Sequence, residues 1–576
     1  MIVRAMRVTI LRRVAPGLEA LLAYDTANLR NDVVAGLSVA AVALPVGIAY
    51  SDIAHVPAVA GIYSAIFPLF AYALFGSSRQ LMTGPDAATC IMAAASVGAV
   101  AGSDPERYGS LMIAMTLLTG VLYMAAGILR LGFIANFLSQ PILVGYLNGV
   151  ALLVLIGQVP KLFGVAGGGD GFFPQLTRLV GQLGATHLPT LALGLSLVAV
   201  MITLRRVSPR VPAPLVAAVL GVAAVAAFDL ANSGVAVLGA VTAGVPVPHL
   251  PSIAPGELSS LTRDALGLTL ISFTSGVLTS KSFARRNHYD VDANQELIGF
   301  GACNLASGLV QGFPVTGADS RTAVNNAMGG RTQLVGVVAG GTMLLFLLFL
   351  TGPLASLPST ALAAIILVSA YGLFDFPAVG TLRHVSVREL LFSLITTAGV
   401  LLLGVLPGVL LAVVVSLLWL LWLMSWPHDA VLGRVPGMPG LHDLRDYPHA
   451  VTIPGLLVYR FNANLLFFNC DYLKDRVRQH VRDASTPVEW VVIDASPINI
   501  VDYTATQKVG ELRRELQARG IVLGHAGAKR ALARFFKPGI LGAQDLGREH
   551  DYPTLDAAVA AFERRHQSTP TDGAKP

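Results

Sequence analysis

GSSRQLMTGPDAAT (residues 76–89) and GFPVTGADSRTAVN (residues 312–325) decide how this 576-residue chain is read. Each is a polar stretch, broken by Gly and Pro, set among long apolar runs. Each carries carboxylate or guanidinium groups: Arg79 and Asp86 in the first, Asp319 and Arg321 in the second. Around them, 54% of the chain is hydrophobic and 13% charged, against roughly 25% charged in a soluble protein. A water-soluble globular enzyme and a disordered chain are both excluded. The charges are also unevenly placed, with 35 of the 74 in residues 431–576. The net charge of +6 is therefore no nucleic-acid patch. A long apolar part precedes a short, ordinary one.

Apolar runs at 33–50, 57–75, 109–129, 139–159, 188–204, 212–228, 265–280, 332–352, 355–373, 390–404 and 406–426 have, or approach, the length that crosses a bilayer, about 20 residues. Three further segments at 85–101, 291–312 and 317–329 are shorter or interrupted. The count is fourteen crossings. No cleavable signal peptide is expected in the basic start, MIVRAMRVTILRR. Arg4, Arg7, Arg12, Arg13 and Arg30 place the N-terminus in the cytoplasm. Arg79, Arg130, Arg205, Arg206, Arg210, Lys281, Arg285, Arg286, Arg331, Arg383 and Arg388 then fall on the same side by alternation. An even number of crossings returns the C-terminus there.

The two opening stretches sit at the third and tenth crossings. A repeat of seven crossings, an odd number, inverts its topology, so the two interruptions face each other from opposite sides. Backbone that is not helical at membrane depth lines a cavity or is buried in protein. Paired half-helices with their N-termini aimed at an anion are one such arrangement; plain kinks in packed helices are the other. Gly84-Pro85 is a helix-start signal. Asp86 and Asp319 can serve as helix caps, and Arg321 as a partner of Asp319 or of a carbonyl. Alternatively, two helix N-termini and one guanidinium make an electropositive pocket for an anion. Ser320, Thr316, Thr83 and Thr89 would be its donors. Two acids beside an anion make sense if one is protonated, which is a route to proton coupling.

The C-terminal part alternates strands and helices and reads as a small α/β domain. Gly455–Phe468 gives two strands with a turn at Asn462–Asn464, Asp471–Asp483 a helix and Glu489–Asp494 a strand. Thr504–Arg519 gives a helix, Ile521–Gly524 a strand, and Leu532–Phe536 and Leu555–Phe562 further helices. The domain organisation is a cytoplasmic segment 1–31, a transport domain 32–430, a linker 431–446, the α/β domain 447–566 and a disordered tail 567–576. Cys90, Cys303 and Cys470 form no disulfide framework or metal pair, and the twelve histidines lack ligand spacing. There is no phosphate-binding Walker motif, zinc-protease motif or nucleophile elbow. GVAGGG at 164–169 reads as a flexible loop. No cofactor, metal or nucleic acid is expected.

DVVAGLSVAAVALPVGIAY (32–50), continuing through GSSRQLMTGPDA (76–87), resembles the first signature of the SulP sulfate-permease family. VDANQELIGFGACNLASGLVQGFPVTGADSRTAVN (291–325) resembles its second. VVIDASPINIVDYTA (491–505) resembles part of a STAS domain. The likeness covers about residues 20–565 in order, and GACNLASGL (301–309) and HDAVLGRVPG (428–437) are like actinobacterial members. The resemblance implies fourteen membrane segments in two inverted seven-helix repeats, split into core and gate subdomains, with an elevator-like core movement. It implies an anion site between the third and tenth segments, a homodimer in the inner (plasma) membrane, and a cytoplasmic STAS domain able to take a partner. Carried onto this chain, the site comprises Val46, Tyr50, Thr83, Asp86, Ala87, Thr89, Ser275, Thr279, Ala318, Asp319, Ser320 and Arg321.

Departures from the family pattern matter. Val46 stands where many members have Gln, and Ser275 where many carry the acid used in sodium or proton coupling. Asp86 and Asp319 remain as coupling candidates. Arg321, two residues from Asp319, favours the ionised form there, so Asp86 is the preferred proton carrier. Thr504, after Asp502, stands at the phosphorylatable position of related STAS proteins. The expected function is secondary transport of a small anion, sulfate first, by proton symport or exchange. A bicarbonate or dicarboxylate carrier, an uncoupled anion channel and a membrane-tethered signalling protein are the alternatives.

Overall fold

The computed structural model describes residues 15–102, 104–137, 139–167, 171–208, 211–248, 250–529 and 550–567. Arg4, Arg7, Arg12, Arg13, Arg210, the end of the 164–169 run, the helix expected at 532–536 and most of the expected tail lie outside them. The chain divides into two compact units, Met1–Val414 and Val415–Pro576.

After a short helix α1 (Pro16–Leu22), the apolar part runs α2 (Leu29–Ile53), α3 (Ala58–Phe75), β1 (Thr83–Gly84), α4 (Ala87–Ala101), α5 (Pro105–Ile128) and α6 (Gln140–Phe163). It continues with α7 (Phe172–Gln182), α8 (Leu188–Val207), α9 (Ala213–Phe228), α10 (Pro255–Arg286) and α11 (Ala293–Leu309). Then come β2 (Thr316–Gly317), α12 (Asp319–Ala327), α13 (Leu334–Phe349), α14 (Ser359–Tyr371), α15 (Phe376–Val385), α16 (Val387–Leu403) and α17 (Val405–Ser425). Every one of the fourteen expected crossings falls on a helix, consistent with that count. Two differ in extent. The eighth, α10, is 32 residues long, because Pro255 opens it early and the Glu257 carboxylate accepts from Ala254 N at 3.1 Å. The tenth, α12, has nine residues, too few to cross alone at 1.5 Å per residue. The helices α1, α7 and α15 were not anticipated.

These helices pack as two groups. α2, α3, α4, α5 and α10–α13 form one; α6, α8, α9, α14 and α16 form the other, and α2 meets the second group through α9 and α14. The grouping fits the division into core and gate. Leu188, Val219, Leu402 and Leu418 on α8, α9, α16 and α17 are 71, 58, 68 and 60% exposed. Apolar surface on that scale belongs in lipid rather than water. Inside the first group, two buried carboxylates act as anchors. The Glu296 carboxylate on α11 accepts from Tyr72 Oη at 2.7 Å, Ser77 Oγ at 2.7 Å and Ser77 N at 3.0 Å. Asp32 on α2 accepts from Arg331 N at 2.7 Å and Thr332 Oγ1 at 2.6 Å. Both residues fasten connectors that flank the interrupted segments.

The second unit contains β3 (Asp429–Arg434), β4 (Leu441–Asp443), β5 (Leu456–Phe461), α18 (Cys470–Asp483), β6 (Trp490–Asp494), α19 (Tyr503–Ala518), β7 (Val522–Ala526), β8 (Asp551–Tyr552) and α20 (Leu555–Gln567). The sheet order is β4-β3-β5-β6-β7-β8. β5 to β8 are parallel, and β3 is antiparallel to both its neighbours. One face packs Tyr459, Ile493 and Leu523 against Leu473 and Leu512 of α18 and α19; the other packs Val458 and Val492 against Val559 and Phe562 of α20. Burial on both faces explains the unbroken apolar runs of β5 and β6.

Two expectations are corrected here. The stretch 431–446, expected as a linker, holds most of β3 and all of β4: its Pro and Gly residues make a turn between paired strands. The second strand expected within 455–468 is not formed. Past Phe461, the Asn464 side chain accepts from Asn499 N and Ile500 N at 3.1 and 3.2 Å, and Asn469 takes Leu466 N at 2.9 Å. Side-chain amides thereby replace a strand partner, leaving a single bridge from Leu465 to Val501.

Asp429 opens β3 and is buried. It accepts from Tyr459 Oη at 3.0 Å and Arg476 Nε at 2.6 Å, with His480 Nε2 at 3.7 Å. Burial works against its charge, but His480, Arg476 and Tyr459 together outweigh it and hold the carboxyl below its ordinary range. A carboxyl so lowered stabilises the fold fully above about pH 4, and that contribution is lost as the pH falls further. Asp429→Asn should therefore weaken this unit by about 1–3 kcal/mol at neutral pH, with the gap to wild type narrowing as the pH falls below about 4, down through the lowered range of the carboxyl. Hydrogen exchange of β3 and α18 in the full chain measures it; an unchanged gap would contradict this account.

Candidate functional site

The site starts from backbone. Gly84 adopts φ +148, a value that excludes most side chains, and Pro85 has no N–H to offer a helix. The chain is thus extended before α4, and β1 pairs antiparallel with β2 in the register Thr83↔Gly317 and Gly84↔Thr316. Ala318 N donates to Met82 O at 2.8 Å, and Met82 N donates to Thr322 Oγ1 at 3.0 Å. This ladder lays the starts of α4 and α12 beside each other, as the inverted repeat predicts. The pair lies against α10 at Gly276, whose Cα is only 3.1 Å from where a Cβ on Gly317 would be. Asn304 on α11 holds the approach, with Nδ2 donating to Val315 O at 2.9 Å and Oδ1 accepting from Val315 N at 3.0 Å.

Arg321 is the largest fully buried side chain in the protein's described residues, at 1% exposure. Its Nη2 donates to Pro85 O across the junction, while Nε and Nη1 have no partner. A Cβ on Gly84 would stand 2.5 Å from Nη1. Of the two bland expectations for Arg321, the bond to a carbonyl is found and the pairing with Asp319 is not. The guanidinium reaches the Asp86 side of the junction, which removes the reason for preferring Asp86 as proton carrier.

Asp86 caps α4, accepting from Thr89 N at 3.4 Å. Asp319 opens α12; Thr279 Oγ1 on α10 donates to its Oδ1 and also lies 3.0 Å from Ser275 O. Asp319 and Ser320 are exposed and Asp86 half-buried, so the junction is open on one side. Tyr50 on α2 is within Coulombic reach of Asp86 and Arg321, and Asp86 of Asp319. Val46, one turn before Tyr50, is buried, as are Ala87 and Ala318 at the two helix starts. Thr89 Oγ1 is 3.0 Å from Ser272 Oγ.

Of the four expected donors, Thr316 turns elsewhere, its Oγ1 donating to Ser272 O at 2.9 Å. Thr83 Oγ1 accepts from Cys303 Sγ at 3.7 Å, and Ser275 offers its backbone carbonyl, not a charge, to Thr279. Ser272, Thr322 and Asn304 were missed by sequence reasoning. Their signal was available, since polar residues within apolar helices at membrane depth mark functional or junction sites. In the second unit, Asp502 Oδ1 accepts from Ala505 N at 2.8 Å and its Oδ2 from Phe467 N at 2.7 Å. It is a helix cap and loop anchor, and Thr504 beside it is exposed.

Residues 29–396 match the model of the sulfate permease family, and residues 447–558 that of the STAS domain. The chain belongs to the sulfate permease family. It is 41% identical over 551 residues to a Mycobacterium tuberculosis protein named "Probable sulfate transporter", covering 96% of this chain and 98% of that one. It is 30% identical over 510 residues to the chloroplastic sulfate transporter 4.1 of Arabidopsis thaliana, 85% and 74% covered. The solved structure of the murine solute carrier 26 family member A9 anion transporter, inward-facing, aligns with TM-score 0.89 at 20% identity, over 96% of this chain and 95% of that one. The transmembrane domain of a cyanobacterium bicarbonate transporter aligns with TM-score 0.60 at 25% identity, over 68% and 98%. This family member is therefore a multi-pass membrane protein of the SLC26 fold, whose α/β domain is a STAS domain.

Gly84→Ala tests the junction without removing any charge. The added methyl must displace the guanidinium or hold a backbone that costs a non-glycine residue about 1–3 kcal/mol. Sulfate binding to the purified variant, read by calorimetry, should weaken about tenfold or more. Wild-type affinity would show that the contact between Gly84 and Arg321 does not shape the site.

Proposed function

We propose that the protein is a secondary transporter of a small inorganic anion, sulfate before others, working by proton symport or anion exchange. The observation that carries this reading is Arg321, a buried guanidinium with two unpartnered nitrogens at the meeting point of two helix N-termini. An unpaired buried cation is costly, and an oxyanion would answer both its charge and its free donors. The 41% identity to a protein named as a sulfate transporter supports sulfate. The likeness to a bicarbonate transporter's membrane domain makes bicarbonate the second anion to test.

In this reading Tyr50, Val46, Thr89, Ala87, Ala318, Ser320 and Arg321 line the anion's place, and Asp86 and Asp319 are the coupling acids. The first helical group, carrying the junction, moves against the second in an elevator-like step. The protein acts as a homodimer in the inner (plasma) membrane with both termini cytoplasmic. Exposed Thr504 is then on the cytoplasmic side, where a partner or a modification would act on the STAS domain. The transport domain is taken to end with α17 at Ser425, before β3 opens at Asp429.

Arg321→Ala should abolish uptake while the protein stays folded and dimeric, since removing one member of a buried charge contact costs about 2–5 kcal/mol. Arg321→Lys should restore little, because an ammonium lacks the planar fork. Proteoliposome uptake of radiolabelled sulfate, with bicarbonate and fumarate as competitors and with or without a pH gradient, decides it. Wild-type uptake by folded Arg321→Ala would sink the proposal, and current without coupling would favour a channel.

A further inference from the structure

The two acids at the junction are held by partners of different chemistry. Asp86 accepts from a backbone N–H, that of Thr89, at 3.4 Å. An amide N–H can only donate. The guanidinium that crosses to Pro85 O beside it is also donor-only. Both hydrogen-bonding groups placed at Asp86 are donor-only and favour the ionised carboxylate, against its burial and the like charge of Asp319.

Asp319 is held by a hydroxyl. Thr279 Oγ1 lies within hydrogen-bonding distance of Asp319 Oδ1 and, at 3.0 Å, of Ser275 O. It has one hydrogen and spare lone pairs. With Asp319 ionised, that hydrogen points to Oδ1. With Asp319 protonated, the carboxyl O–H donates to Oγ1, and the Thr279 hydrogen turns to the Ser275 carbonyl, which can only accept. The partner survives either state by rotating one O–H bond. Asp319 is also exposed, so its proton can exchange with water at the open side of the junction.

We infer that Asp319 is the proton carrier of this transporter, and that Thr279 is the positioning residue that serves it in both protonation states, with the Ser275 carbonyl as the alternative acceptor. The inference rests on the anion-transport reading above and narrows its coupling step to one acid. The charged groups around Asp319 are Asp86 at the start of α4 and Arg321 on its own helix; Tyr50 on α2 faces Asp86 and Arg321. Lys281, Arg285 and Arg286 on α10 form no ion pair with it among the described residues. Arg321 is committed to the far side of the junction, which leaves Thr279 as the group bonded directly to this carboxyl.

The test uses the full-length protein in proteoliposomes and follows sulfate accumulation against internal and external pH. Asp319→Asn should lose the response to an inward proton gradient. Thr279→Val removes the hydroxyl at nearly constant volume. A hydrogen bond to a charged group is about twice as strong as one between neutral groups, so the ionised form loses more. The pH midpoint of gradient-driven uptake should move alkaline by about one unit. Thr279→Ser, which keeps the hydroxyl, should keep the wild-type midpoint. A midpoint unmoved in Thr279→Val, or gradient-driven accumulation retained in Asp319→Asn, overturns the inference; the second result stands even if the valine variant does not fold. Wild-type protein that carries sulfate without any response to the gradient also overturns it and leaves anion transport in place. Wild-type protein that carries no anion defeats the parent reading instead.

Discussion

The two-residue pairing of β1 with β2 is the constraint on which the membrane part depends. Residues 82–85 and 315–318 are extended at the depth where lipid offers backbone nothing to bond. Each segment supplies the other's donors and acceptors, and Asn304, Thr322 and Asn325 take up what the short ladder leaves over. Once the strands are paired, two helix N-termini are necessarily side by side, and a buried guanidinium fits between them. The positive potential there is a by-product of satisfying backbone.

Much of this was legible. Gly84-Pro85 and Pro314/Gly317 break long apolar runs at positions seven crossings apart, and the geometry of an odd repeat requires them to face one another. The helical segments follow from length and hydropathy alone. The α/β character of the end of the chain follows from its short apolar runs between charged amphipathic helices. Asp86 as a cap was readable because a carboxylate just before a helix has a known use.

What was not legible depends on contacts across the fold. Nothing local says that Arg321 passes over its neighbour Asp319 to reach Pro85, 236 residues away in sequence. Thr279 reads as one more hydroxyl on α10 until α12 is laid against it. The strands β3 and β4 were hidden because HDAVLGRVPGMPGLHD has the Pro and Gly content of a linker, although its Val431-Leu432 is strand-like. The missing second strand after Phe461 was the reverse error: LLFF looks like a strand, but Asn464 and Asn469 bond the backbone first.

The separation of the paired strands along the chain has a consequence for assembly. β1 enters the bilayer with the first repeat, long before β2 has been synthesised. Until then its polar backbone has no strand partner. The first repeat is therefore an incomplete object in lipid, and its third helix has reason to linger near the interface or the insertion machinery. The ladder closes only when the second repeat arrives in inverted orientation. Quality control of such a protein has a simple physical cue to read: an unpaired, half-inserted segment that persists when the second repeat fails.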